Sequence, residues 1–173
     1  DQLHIIPPSV ATQPLLPMAD LLPYLQQKHA EWQQAYAHVY HNSDQDDFVS
    51  FEGEAENGQL IVGIIDSTLL AWLHKPSHPW MLTLHIAYDG NGLNGMPSKQ
   101  VYQHMEAFED AVMAELPEHE GYLNLGRETG DGVRLVYIAC KQFVQATRVL
   151  ERLMPKFSQD MSIEYDLFQD KYW

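Results

Sequence analysis

Several groups of residues in this sequence have the types that chemistry uses. The turn "DGNGLNGMPSKQ", Asp89 to Gln100, sets Gly90, Gly92 and Gly95 between an apolar run and a helical pattern. Glycine turns of this kind cradle phosphate when lysine and Ser or Thr follow the last glycine, the lysine reaching the phosphates and the hydroxyl ligating magnesium. Here Met96 and Pro97 follow Gly95, so the charge is missing and a backbone donor is lost. A calcium loop fails too, because Leu93 stands where the spacing from Asp89 and Asn91 requires an oxygen ligand. The same residues suit a strand-to-helix turn: glycine and Asn94 accept positive φ, Pro97 stiffens the entry and Ser98 caps the helix amides.

The polar cluster "GRETGDGVR" offers Arg127 as a clamp for carboxylate or phosphate, with Glu128 beside it at the end of an expected hairpin. Pairing of Arg127 with an acidic neighbour is the structural alternative. His38 and His41 stand three apart, and His74 and His78 four apart, but no third ligand follows from spacing, so no metal is assigned. Cys140 lies in the apolar "VRLVYIAC" with no base defined by the sequence, which reads as an inert buried thiol. Glu106 and Asp110 are one helical turn apart and read as a solvated face. Trp173, in the closing "QDKYW", reads as a hydrophobic lid or an exposed contact, with the lid preferred. The candidate binding residues are therefore Asn94, Arg127, Glu128 and Trp173, with no catalytic residue and no cofactor assigned.

The chain of 173 residues carries 24 acidic against 10 basic side chains, a net charge of −14. That surplus opposes binding to nucleic acid or anionic membranes and favours a basic or neutral protein partner. Apolar residues make up 45% of the chain, and no run is long enough to suggest a membrane span. A single cysteine fits a reducing, cytoplasmic compartment; because the sequence starts at Asp1, a removed secretion signal is the alternative. The oligomeric state is not readable.

The elements that must position these residues follow from periodicity. "DQLHIIPPSVATQPLLP" reads as an extended arm, and residues 21–42 as an amphipathic helix with Pro23 in its first turn. "FVSFEGEAE" and "QLIVGIID" form a hairpin about Asn57-Gly58, and residues 67–79 connect it to the main sheet. "WMLTLHIAY" puts Trp80, Leu82, Leu84, Ile86 and Tyr88 on one face of a strand. Val101, Met105, Phe108 and Val112 line a helix from about Lys99 to Leu116. "YLNLGRET" and "VRLVYIAC" form a second hairpin through "GDG", with Leu123 and Leu125 pointing inward. A helix over 142–154 buries Phe143, Ala146, Leu150, Leu153 and Met154 and ends at Pro155. "MSIEYDLF" alternates as the last strand. Strand, helix, strand, strand, helix, strand is the α+β ferredoxin-like order, with two helices on one face of an antiparallel sheet and the other face exposed. The organisation is thus an arm and helix over 1–46, then one α+β domain over 47–173.

Taken together, "HPWMLTLHIAYDG", "NGMPS", "FEDAV", "LGRETGDGVRLVYIA" and "YDLFQDKYW" resemble the bacterial domain-of-unknown-function 695 family over residues 47–173. Residues 1–46 have no counterpart in that pattern. The resemblance implies no activity and no catalytic residues. Some members of the family are joined to a domain similar to the ribonuclease E inhibitor called regulator of ribonuclease activity B, an acidic protein-binding regulator. The acidic surface, the lack of a complete catalytic constellation and the exposed sheet face point to a non-enzymatic binding or regulatory domain acting through protein contacts, and the resemblance adds the regulatory part by analogy. The alternative is a small hydrolase-like enzyme with its site around Asn94–Pro97 and Arg127/Glu128.

Overall fold

Alternation along Trp80–Ala87 organises the sheet, since Leu82, Leu84 and Ile86 are fully buried on one face while Met81 and Thr83 are buried on the other. The structure is a computed structural model that describes residues 15–173; of the expected arm over 1–17, residues 1–14 lie outside them, and residues 15–17 are irregular and exposed. The chain divides into two compact units, at residue 39. The first contains helix α1, Met18–Tyr36, none of whose residues is buried. It starts before and ends earlier than the pattern over 21–42 predicts, so Pro23 lies inside the helix, past the first turn. Its own ring contacts, Trp32 with Tyr36 at 5.7 Å and His29 with Trp32 at 6.2 Å, follow the helical repeat.

The second unit is a mixed α+β structure around a six-stranded antiparallel sheet. Its strands are β1 (Phe48–Glu54), β2 (Leu60–Asp66), β3 (Trp80–Ala87), β4 (Tyr122–Gly130), β5 (Val133–Cys140) and β6 (Ser162–Gln169), arranged β1-β2-β4-β5-β3-β6. The helices are α2 (Ser67–Leu70), α3 (Lys99–Glu115) and α4 (Val144–Phe157). The β1–β2 hairpin turns at Gly58, φ 81°, as its sequence predicts, and extends the sheet beyond β4. Asp131 and Gly132 join β4 to β5 with φ of 50° and 75°, the two left-handed residues of a tight hairpin.

Helix α3 begins where Ser98 accepts the Val101 amide at 3.3 Å, and Met105, Phe108 and Val112 are fully buried against the sheet. Helix α4 adds Ala146, Val149, Leu150 and Leu153 to the same core. It runs through Pro155 to Phe157, two residues past the expected end, and forfeits the one hydrogen bond that residue 155 would donate to the turn before it. Phe143 is not in that core; it is partly exposed against Trp80, with ring centroids 4.5 Å apart.

The opposite face of the sheet is not left open. Leu69, Leu123 and Ala139 form a second buried cluster there, with Trp72, Leu125 and Trp173 packed on it. Leu123 and Leu125 therefore point into this second core and not beneath the helices. A β-bulge interrupts β4 at this point. Tyr122, Leu123 and Asn124 pair with Cys140, Ala139 and Ile138, whereas Gly126 pairs with Tyr137, so Leu125 is the extra residue. The added residue shifts the alternation, carrying Arg127 to the helix-bearing face and Glu128 to the other. Gly126 has φ 134°, and a Cβ there would overlap the Ile64 carbonyl oxygen on β2. Gly126→Ala is expected to destabilise the protein by about 2 kcal/mol or more, read as a lower urea midpoint; an unchanged midpoint would show that the bulge is not held by this glycine.

Candidate functional site

Arg127 and Glu128 are neighbours in sequence that the structure separates. Both lie within β4, flanked by β2 and β5, and not at the hairpin end. Arg127 reaches α3, with Nη1 2.8 Å from Glu109 Oε2 and 3.1 Å from Glu106 Oε1. Arg134, 1% exposed, meets the same pair: Nη1 lies 2.6 Å from Glu109 Oε1 and 2.9 Å from Glu106 Oε1, while Nε donates to Thr129 Oγ1 at 2.9 Å. Tyr102 stacks on that guanidinium at 4.8 Å. Two arginines and two glutamates thus form a neutral network between α3 and the sheet. Burial alone disfavours the Arg127 charge, but Glu109 and Glu106 outweigh it and raise its pKa. Glu106 is consequently not part of a solvated face, although Asp110 is exposed. On the other face, Glu128 accepts the Tyr137 hydroxyl.

Asn94 sits in the glycine turn with φ 54° and is exposed. The turn uses its own amides: Asn91 donates to Asp89 Oδ1 at 2.9 Å, Leu93 and Gly95 to Gly90 O at 3.2 Å each, and Met96 to Leu93 O at 3.1 Å. Gly95 is the close approach, where a Cβ would overlap the Gln59 side chain. Its carbonyl accepts both the Tyr88 hydroxyl and the Gly132 amide at 2.9 Å. Amides spent in this way are not free to wrap an anion, which favours the structural turn.

The features with binding character gather on the far face, around Asp66 at the end of β2. Asp66 caps α2: its Oδ1 accepts the Thr68 amide at 3.0 Å and the Thr68 hydroxyl at 2.8 Å, and the Asp47 amide at 3.3 Å. The short helix turns the chain so that Trp72 lies among His41, His74, His78 and Trp173, with centroids 5.4 to 6.0 Å away. Trp173 is fixed by its indole N–H, which donates to the His78 carbonyl at 2.8 Å, and by Lys75, 5.3 Å above its ring. Beside it opens a pocket of about 340 Å³ walled by Leu69, Leu70, Met81, Leu125, Phe168 and Trp173, with Asp66 and Tyr137 among its polar members. Burial first, and then Glu128, push the Tyr137 phenol above its ordinary pKa, so it is a neutral hydroxyl.

The structure thus brings Trp173 to this pocket, ties Arg127 beneath α3, leaves Asn94 in the exposed turn and puts Glu128 at the pocket's tyrosine. The sequence pattern does not single out Asp66 or Trp72, and it offers His41 only in company with His38. The partners of these residues lie up to tens of residues away, and the one local signal is Asp66-Ser67-Thr68 as a capping sequence. Cys140 is buried, and burial pushes its thiol up to about 12, which removes it as a nucleophile near neutral pH.

Among comparisons with known proteins, the model of the family of unknown function DUF695 matches residues 54–173. No curated protein and no solved structure matches the chain. Among the described residues no helix is long and apolar enough to cross a membrane.

His78 supplies a test of this face. It is 1% exposed, its Nδ1 lies 2.8 Å from Ser77 Oγ, and burial, with Lys141 and His41 adding, lowers its pKa from 6.5 to about 3. The unfolded chain binds this proton and the folded one does not, so the contribution is complete above about pH 6.5 and is lost as pH falls toward 3. Urea denaturation of wild type should therefore weaken through that window, by at most about 1.4 kcal/mol per pH unit from this group, and His78→Gln should lose less. Parallel pH profiles would contradict it.

Proposed function

Because the chain belongs to the family of unknown function DUF695, a membership that names no activity, we propose that it is a non-enzymatic binding domain that seats an apolar side chain of a protein partner in the far-face pocket. The observation that carries this reading is the pocket itself: about 340 Å³, walled mainly by apolar side chains, with two of them, Leu70 and Phe168, substantially exposed at its rim. The volume suits one large aliphatic or aromatic side chain.

The charge balance of −14 supports a partner whose flanking residues are basic. The division of Arg127 from Glu128 by the sheet weakens the hydrolase-like alternative, since a shared site needs both on one side. A cytoplasmic setting belongs to the same reading and is supported by the buried Cys140 thiol. We read the last four strands with α3 and α4 as ferredoxin-like; the order β4-β5-β3-β6 and its antiparallel pairing support that.

Selection of peptides from a random library on the purified protein tests the proposal. Enriched peptides should carry a large apolar residue beside lysine or arginine. Phe168→Ser and Leu70→Ser, both on exposed side chains, should weaken their binding at least about tenfold, as loss of an anchor contact does. Equal binding to wild type and both variants would contradict the proposal.

A further inference from the structure

We propose that His41, Asp46 and Asp66 form a site for one divalent transition cation of the zinc class, which ties residues 41–47 to the corner between β2 and α2. The starting observation is an orphaned oxygen. Asp66 is 1% exposed, and its Oδ2 is buried without a hydrogen-bond partner. Three bonds to Oδ1 from Thr68 and Asp47 fix the carboxylate, so the direction of Oδ2 is set by the fold. It faces His41 Nε2 across 3.8 Å, beyond hydrogen-bond reach. A buried carboxylate oxygen left without a partner is costly, and such groups call for an explanation in an ion or ordered water.

The other two side chains converge on the same point. Asp46 Oδ1 lies 2.6 Å from His41 Nε2, and one ligand atom from each of the three residues lies within 4.8 Å of the others. Ligands held at about 2.0–2.2 Å from zinc lie roughly 3 to 3.6 Å apart, so the pairs at 2.6 Å and 3.8 Å need shifts of a few tenths of an ångström and the cluster as a whole at most about one ångström. The surroundings are rich in negative charge. Asp46, Asp66 and the nearby Glu118 set three carboxyl groups against the single imidazole of His41. A divalent cation would neutralise this crowding and give Oδ2 its missing partner, displacing any proton on His41 Nε2.

The donor set names the class of ion. One imidazole and two carboxylates, without thiolate, suit zinc and its first-row neighbours, whereas magnesium and calcium prefer all-oxygen sites. Positioning is already present: Trp72 meets the His41 ring edge-on at 5.6 Å, and Ser67 Oγ donates to Asp47 Oδ2 at 3.1 Å, fastening the segment that carries Asp46. His41 and Asp46 precede residues 54–173, the span the family model matches, and Asp66 lies within it. The site is thus assembled from the matched span and the segment before it, and it rests on an observation separate from the pocket.

The test uses tag-free full chain freed of metal with chelator and titrated with zinc chloride by calorimetry, with magnesium chloride in parallel. One zinc per chain is expected to bind saturably, raise the melting temperature and alter tryptophan fluorescence through Trp72. Asp46→Asn, which leaves the α2 cap intact, and His41→Gln should each weaken zinc binding at least about tenfold. No saturable heat at millimolar zinc overturns the proposal. Undiminished binding in both variants overturns it as well, since the zinc would then sit on other histidines, and equal affinity for magnesium overturns the assignment of the ion.

Discussion

The carboxylate of Asp66 is the constraint on which the far face depends. A strand ends there, a short helix begins, and the residue that makes the turn is buried. One oxygen is consumed in building: it caps α2 and holds Asp47. That corner sends the chain back across the sheet, bringing Leu69 and Trp72 over Leu123 and Ala139. Trp173 then closes against Trp72 and the His78 carbonyl. The second oxygen takes no part in this construction, and His41 and Asp46 are the groups that stand around it.

On the helix-bearing face the corresponding constraint is Arg134. Its guanidinium is almost entirely buried, and a buried charge persists only with partners. Glu106 and Glu109 provide them from α3, which fixes the helix against β4 and β5. Arg127 joins the network only because the bulge at Leu125 turns it to that side. The bulge therefore divides labour within one strand. Arg127 serves the packing of α3, while Glu128 and Leu125 serve the pocket face.

Much of the fold is legible in the sequence because it rests on local pattern. Leu82, Leu84 and Ile86 alternate, Met105, Phe108 and Val112 recur at helical spacing, and Ser98 and Pro117 bound α3 closely. Asp131-Gly132 announces its turn through tolerance of positive φ. The bulge is hidden, since Leu123 and Leu125 are spaced as in a straight strand. Pro155 misleads because α4 absorbs the hydrogen bond that the proline forfeits to the turn before it and runs on to Phe157. The missing lysine marks the glycine turn as structural, and its self-bonded amides agree with that. Burial of Met81 and Thr83 on the second face depends on residues 67–79 and on the C-terminus folding over it, which no local period encodes. His41 and Asp66 are the extreme case: 25 positions apart in sequence, they share no motif.

The proposed binding features lie on the far face, where apolar walls and an orphaned carboxylate oxygen share one corner of the sheet. The most direct test of that corner is anomalous diffraction at the zinc absorption edge from crystals soaked in zinc. The account predicts a peak within about 2.0–2.2 Å of Asp66 Oδ2, His41 Nε2 and Asp46 Oδ1. Peaks confined to exposed histidines such as His119, with Asp66 Oδ2 still without a partner, would contradict it.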